Sequence, residues 1–169
     1  MDSTTNTEIL VYAGFWRRFA AMLIDYLILG ALHMIVIVPV LGMLGIGAVA
    51  SGIDAEGMSE DDQAMLFMAI LSGAAILYVV LAIIGWLYYA LMESSSRQAT
   101  VGKIALGLRV TDLNGERITF LRATGRYFGK IISGMILYIG FIMAAFTEKR
   151  QALHDLMAEC LVVSNPSQS

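Results

Sequence analysis

A chain of 169 residues that is 58% hydrophobic and only 15% charged is far more apolar than a soluble domain, where roughly 25% of residues carry charge. It reads as an integral membrane protein, and a net charge of −3 gives no support to nucleic-acid binding. The one cysteine, Cys160, excludes an intramolecular disulfide and suits a reducing face of the membrane.

Residues 1–11 form a polar tail with no period and are expected to be disordered. Gly14-Phe15-Trp16-Arg17-Arg18-Phe19 then leads into an apolar run that reaches about Ala50. A secretory signal is mimicked by Ala48-Val49-Ala50, but the run is about twice the length of an h-region of 7–15 residues and contains Asp25 and His33. The run instead predicts a first transmembrane helix over about 19–41, with Pro39 expected to kink or end it and Gly42, Gly45 and Gly47 expected to form a loose exit. Arg18 and Asp25 share one helical face, with the carboxylate about 10 Å deeper at roughly 1.5 Å per residue. An acid at that depth costs about 2.5–3.5 kcal/mol against lipid, so Asp25 should face protein, water or a cation. His33 lies on a neighbouring part of the same face, which makes Asp25 and His33 the candidate ion- or proton-binding residues.

Asp54, Glu56, Glu60, Asp61 and Asp62 fall in a connection without Lys or Arg. The positive-inside rule therefore puts the N-terminus in the cytoplasm and this loop outside. Residues 64–92 are uncharged and predict a second full span, with Trp86, Tyr88 and Tyr89 as an interfacial belt at its inner end. From Glu93 to Lys130 the chain turns basic, and Arg97, Lys103, Arg109, Arg122, Arg126 and Lys130 are expected to face lipid headgroups from the cytoplasmic side. Within it, Thr100 should cap a short amphipathic helix, and Leu108–Thr111 should form a strand turned at Asn114-Gly115 into Arg117–Thr119. Thr119 should cap the next helix.

The uncharged stretch 131–147 admits two readings. As a full span it would put Lys149, Arg150, His154, Asp155 and Cys160 outside. As a re-entrant pair of short helices broken near Gly140, it keeps them inside and lets Leu161-Val162-Val163 pair with Leu108–Thr111. The second reading respects the charge rule. The fold class that follows is an all-α membrane protein of two full transmembrane helices, a third membrane-embedded or re-entrant segment over about 127–147, and a short cytoplasmic strand pair, with the membrane domain at 12–163 and a tail at 164–169.

Chemistry-bearing motifs are few. Adjacent His154 and Asp155 diverge by roughly 100° on a helix and find no serine, cysteine or metal-ligand partner at suitable spacing, so no catalytic or cofactor site is expected. Gly102-Lys103 lacks the rest of a phosphate-binding P-loop, and Gly125-x-x-x-Gly129 is too common a spacing to carry weight.

Three stretches taken together, Gly14-Phe15-Trp16-Arg17-Arg18-Phe19-Ala20-Ala21-x-x-Ile24-Asp25, Thr100-Val101-Gly102-Lys103-x-x-x-Gly107-Leu108-Arg109-Val110 with Asn114-Gly115, and Arg150-Gln151-x-x-His154-Asp155, resemble the RDD family of bacterial membrane proteins over about residues 12–163. The arginine and two aspartates that name the family fall on Arg18, Asp25 and Asp155. One departure is Ala158-Glu159-Cys160, where the family often has Ala-Gly-Thr. The resemblance implies an inner-membrane protein, and some members look like sodium or potassium/proton antiporters. Antiport needs a carboxylate that binds a proton or a monovalent cation in turn, for which Asp25 is the candidate, and so few spans would need a homo-oligomer. The rival expectation is a membrane scaffold or assembly factor holding headgroups or a partner protein through its basic face, with Arg18, Asp25 and Asp155 as structural glue.

Overall fold

The computed structural model describes residues 11–50, 57–136 and 139–164, with the side chains of residues 44–50 and 139 left aside. Six helices and two strands follow in order: α1 (Phe15–Ala50), α2 (Glu60–Glu93), α3 (Val101–Ala105), β1 (Leu108–Asp112), α4 (Phe120–Met135), α5 (Ile139–Ile142) running into a 3-10 turn (Met143–Ala145), α6 (Leu153–Met157) and β2 (Cys160–Ser164). The N-terminal residues 1–10, the acidic positions Asp54 and Glu56 and the last five residues lie outside the described part of the chain.

Both long helices exceed what the sequence led us to expect. α1 carries Pro39 inside it and continues to Ala50, so the proline neither ends the helix nor frees the glycines after it. α2 begins at Glu60 and not at residue 64, because Glu60, Asp61 and Asp62 fill its first turn, where carboxylates meet the positive end of the helix dipole. At about 1.5 Å per residue the 34 residues of α2 span about 51 Å, well beyond a hydrocarbon core of ~30 Å. Residues 15–43 and 60–93 are each long and apolar enough to cross a membrane.

Residues 27–85 form one unit. Most of its described apolar side chains look outward: Leu27, Ile35, Met43, Met65, Phe67, Ile76 and Tyr78 are all exposed, while Leu29 is buried. A helix that is apolar all round and unburied needs lipid around it, since water would not tolerate that surface.

The other unit contains residues 1–26 and 86–169. Its centre is β2, buried along its whole length. β1 pairs with it antiparallel, Leu108 opposite Ser164 through Asp112 opposite Cys160. On the other edge the start of the chain adds a bridge, Tyr12 to Val163, with Ala13 N–H donating to Val162 O at 2.9 Å and Ser164 N–H to Val11 O at 2.8 Å. Every apolar face of β2 is thereby covered: Ala13, Ala21, Ala90, Leu108, Val110, Ile118, Ala123, Ala158, Cys160 and Val162 make the core, with Trp86 and Leu106 packed on it. The hairpin expected between β1 and residues 117–119 reduces to one bridge, Thr111 to Arg117, because the edge of β1 away from β2 is taken at Val110 by Gln98, whose carbonyl accepts Val110 N–H at 2.7 Å.

Because β1 and β2 share a sheet, residues 113–159 leave that sheet and return to it. The uncharged stretch 131–147 is accordingly not one helix. α4 stops at Met135, α5 starts at Ile139, and α6 packs back on α4. Gly129 permits that packing, since a methyl group there would lie 3.0 Å from His154 Cβ, whereas Gly125 faces open space. Thr119 caps α4 as expected, accepting from Arg122 N–H at 3.2 Å.

Candidate functional site

Among the described residues, three carboxylates are buried in the unit of residues 1–26 and 86–169: Asp25, Glu93 and Asp155. Ionised carboxylates taken out of water persist only where donors or cations replace the lost hydration. Each finds a different solution.

Asp25, 1% exposed, is held by three neutral donors. Thr100 Oγ1–H donates to Oδ2 at 2.6 Å, while Gly102 N–H and the Tyr88 hydroxyl donate to Oδ1, both at 2.8 Å. Val101 N–H donates in turn to the Tyr88 oxygen at 3.1 Å. The first turn of α3 is thus wrapped on the carboxylate, an anion at a helix start, and Thr100 spends its hydroxyl on Asp25 where the sequence suggested an ordinary cap. Gly102 is required by the close approach. A methyl there would run into the Ala21 carbonyl and lie 3.0 Å from the Asp25 carboxyl group.

Asp155 is held by charge. Arg18 Nη1 lies 2.5 Å from Oδ2, and Arg126 reaches Oδ1 through Nε at 2.8 Å and Nη2 at 2.7 Å. The same carboxylate accepts Ala152 N–H at 3.2 Å, closing the start of α6. Burial alone would raise its pKa, but Arg126, His154 and Arg18 pull it well below the usual carboxylate range. Arg18 also donates to Ala13 O at 3.1 Å and Val162 O at 3.3 Å, which ties the arginine to the central strand.

Glu93 extends the chain of charges. Arg126 Nη1 donates to Oε2 at 2.7 Å, and Lys103 and Lys130 both meet Oε1, at 2.5 and 3.2 Å. Lys130 also sits over the Tyr89 ring at 4.0 Å. Burial pulls the Lys103 ammonium down to about 7 against the attraction of Glu93. The result is an alternating series, lysines, Glu93, Arg126, Asp155, Arg18, that links α2, α3, α4, α6 and the start of α1.

The sequence-derived site is therefore rearranged. Arg18 and Asp155 meet, but Asp25 is served by Thr100, Gly102 and Tyr88, so Arg18, Asp25 and Asp155 do not form one cluster. His33 belongs to the 27–85 unit, where its buried Nε2 has no hydrogen-bond partner among the described residues. Of the cations expected at headgroups, Lys103 and Arg126 are buried and turned onto carboxylates, and Lys130 is largely turned the same way, because two buried acids, Glu93 and Asp155, must be neutralised. Arg97 is exposed, Arg109 half-buried, and Arg122 lies between Asp112 at 3.9 Å and Glu159 at 3.6 Å.

Sequence reasoning missed Glu93, although it ends an apolar run and the argument applied to Asp25 covers it equally. It also missed Ser133. His154 Nε2 lies 3.4 Å from Asp155 Oδ1, and Ser133 Oγ lies 3.4 Å from His154 Nδ1, so the two side chains said to diverge do meet a serine. Ser133 is fully buried and donates to Gly129 O at 2.8 Å, and burial pulls His154 down to about 3, which keeps the ring neutral. In this setting the three groups clip α6 to α4. Cys160, fully buried, has its thiol pushed up to about 11 by burial.

Comparison with known proteins bears on the same residues. The RDD family model matches residues 12–159. The chain is similar to the uncharacterized protein YxaI of Bacillus subtilis (strain 168), at 39% identity over 89% of this chain and 96% of that one. It is also similar to the uncharacterized membrane protein YteJ of the same organism, at 31% identity over 90% of this chain and 80% of that one. No solved structure matches.

Proposed function

Since this chain belongs to the RDD family and is a membrane protein, we propose that it acts as a membrane scaffold or assembly module whose arginine and two aspartates are structural locks. The observation that carries this reading is the saturation of the buried carboxylates. Asp25 already accepts three hydrogen bonds, and Asp155 and Glu93 accept two arginines and two lysines from three segments. A carboxylate so served gains little from a mobile cation, because each cation bond must replace a donor worth about 1.5–3 kcal/mol when the acceptor is charged. The module binds and does not catalyse. In this reading the N-terminus and residues 93–164 lie on the cytoplasmic side of the inner membrane, α1 and α2 cross it, and the chain works as a homo-oligomer or against a partner protein.

A second reading, cation/proton antiport at Asp25, is favoured by one observation: two of the three donors, Tyr88 and Thr100, are hydroxyls whose oxygens can also coordinate a monovalent cation. Proteoliposomes decide between the two. With a sodium or potassium gradient and a pH-sensitive dye inside, the scaffold reading expects no proton movement above empty vesicles. Proton-coupled flux that disappears in Asp25→Asn would replace it with the antiporter.

A further inference from the structure

The charge series does not balance. Four cations, Arg18, Lys103, Arg126 and Lys130, stand against two carboxylates, Glu93 and Asp155. Asp25, bound to the neighbouring Gly102 N–H, still leaves one basic group in excess, and Lys103, pulled down to about 7 by burial, is fully charged at neutral pH only with a further anion beside it. The surplus is localised. Arg18 spends its other donors on the Ala13 and Val162 carbonyls. The two lysines do not: among the described residues each ammonium has a single hydrogen-bond acceptor, and it is the same atom, Glu93 Oε1. An ammonium has three donors, so two cations converge with most of their N–H groups unspent. Lys103 is 7% exposed, whereas the Lys130 side chain, at 19%, is the open end.

We propose that the Lys103–Lys130 end of the series binds a phosphate-type anion, supplied by the headgroup of a phospholipid. The flanks of Lys130 favour that source over free phosphate. Lys130 lies over the Tyr89 ring, Tyr89 is 5.9 Å from Tyr127, and Trp86 is 6.4 Å from Phe128. Phe128 and Ile131, beside Lys130 in sequence, expose their apolar side chains. Aromatic rings, apolar neighbours and a lysine that can reach a phosphate are the chemistry of the bilayer interface. The proposal rests on the scaffold reading and gives its basic face one defined contact.

The test uses the full chain in a neutral detergent, titrated separately with phosphatidylglycerol, phosphatidylcholine and inorganic phosphate, and read by thermal stability. Phosphatidylglycerol should raise the Tm saturably, with an apparent affinity at least tenfold tighter than that of phosphatidylcholine, which carries a balancing positive group. Lys130→Gln should remove that preference, and Lys130→Arg should keep it. Inorganic phosphate that reproduces the shift in a Lys130-dependent way while phosphatidylglycerol does not would uphold the anion site and assign it to a soluble ligand. Equal responses to both lipids with none to phosphate, or a phosphatidylglycerol preference that survives Lys130→Gln, would overturn it. Should Lys130→Gln fail to fold, the wild-type comparison of the two lipids decides alone. Proton-coupled flux in the proteoliposome assay would remove the scaffold reading and leave this site standing, so the two failures are distinct.

Discussion

Gly102 shows how closely a single position is fixed here. Its Cα packs between the Ala21 carbonyl and the Asp25 carboxyl group, so Gly102→Ala must move backbone and not merely a flexible side chain. Overpacking of that kind costs about 1–3 kcal/mol, and at roughly 2–4 °C per kcal/mol for a chain of this size the Tm should fall by about 2–12 °C. Gly125→Ala, with open space around it, should leave the Tm unchanged or slightly raised. Differential scanning fluorimetry of the two variants in detergent checks the contrast, and equal effects would mean that α3 does not seat on Asp25 as described. Asp25 was legible in the sequence because an acid in an apolar run is costly anywhere. Its partners were not, because Thr100, Gly102 and Tyr88 are unremarkable residues whose only distinction is where the chain folds to. A double-mutant cycle measures the charged counterpart. Arg18→Ala takes one of its two arginines from the buried Asp155 and Asp155→Ala strands Arg18, so each should destabilise while the pair costs clearly less than their sum. Additive Tm changes would count against the Arg18–Asp155 lock.

At the scale of elements, α4 is the informative one. Its buried positions are Ala123, Arg126, Gly129 and Ser133, small or charged, while Leu121 and Met135 are both 79% exposed. A water-facing helix has the reverse arrangement. Periodicity in the sequence reveals such a stripe but not which side faces inward, which is why Arg126 reads as a headgroup ligand from the sequence although it lies between Glu93 and Asp155. The strand pair was legible for a plainer reason: Leu108–Thr111 and Leu161–Val163 are β-branched or apolar runs with no other partner of their kind nearby. Contact between α4 and α6 also sets a pH dependence. His154 normally titrates near 6.5 and is pulled down to about 3 by burial. The folded protein thus refuses a proton that the unfolded chain accepts, so stability present above pH 6.5 is lost as the pH falls from there toward 3. Asp155, held below its ordinary value, adds a second loss as the pH falls below about 4. Melting temperatures should therefore decline on acidification from pH 7.5 to 5, and His154→Gln should flatten that part of the curve. A wild-type Tm that is constant or rises over this range would contradict the neutral, buried imidazole.

For the whole molecule, the pairing of β1 with β2 fixes one topological fact. Residues 108–112 and 160–164 lie in one sheet, so the segment between them enters and leaves from the same side. Cysteines introduced at the exposed positions Glu116 and Glu159 should share one accessibility, reacting with an impermeant maleimide only after permeabilisation, while a cysteine at Ser59 should react in intact cells. The native Cys160 cannot report on this, because its thiol is fully buried. Opposite labelling of Glu116 and Glu159 positions would break the sheet, and labelling of all three from outside would reverse the orientation. The central claim, that the family's arginine and aspartates lock the folded unit, is tested most directly by the stability of Asp25→Asn in detergent. Asparagine keeps the size of the side chain but puts an NH2 group where Oδ2 accepts the Thr100 hydroxyl, so that bond must reverse and the buried Thr100 O–H loses its acceptor, at a cost of about 1–3 kcal/mol for a group left unsatisfied. The account predicts a Tm lowered by roughly 2–12 °C at 2–4 °C per kcal/mol; a variant that melts with the wild type would contradict it.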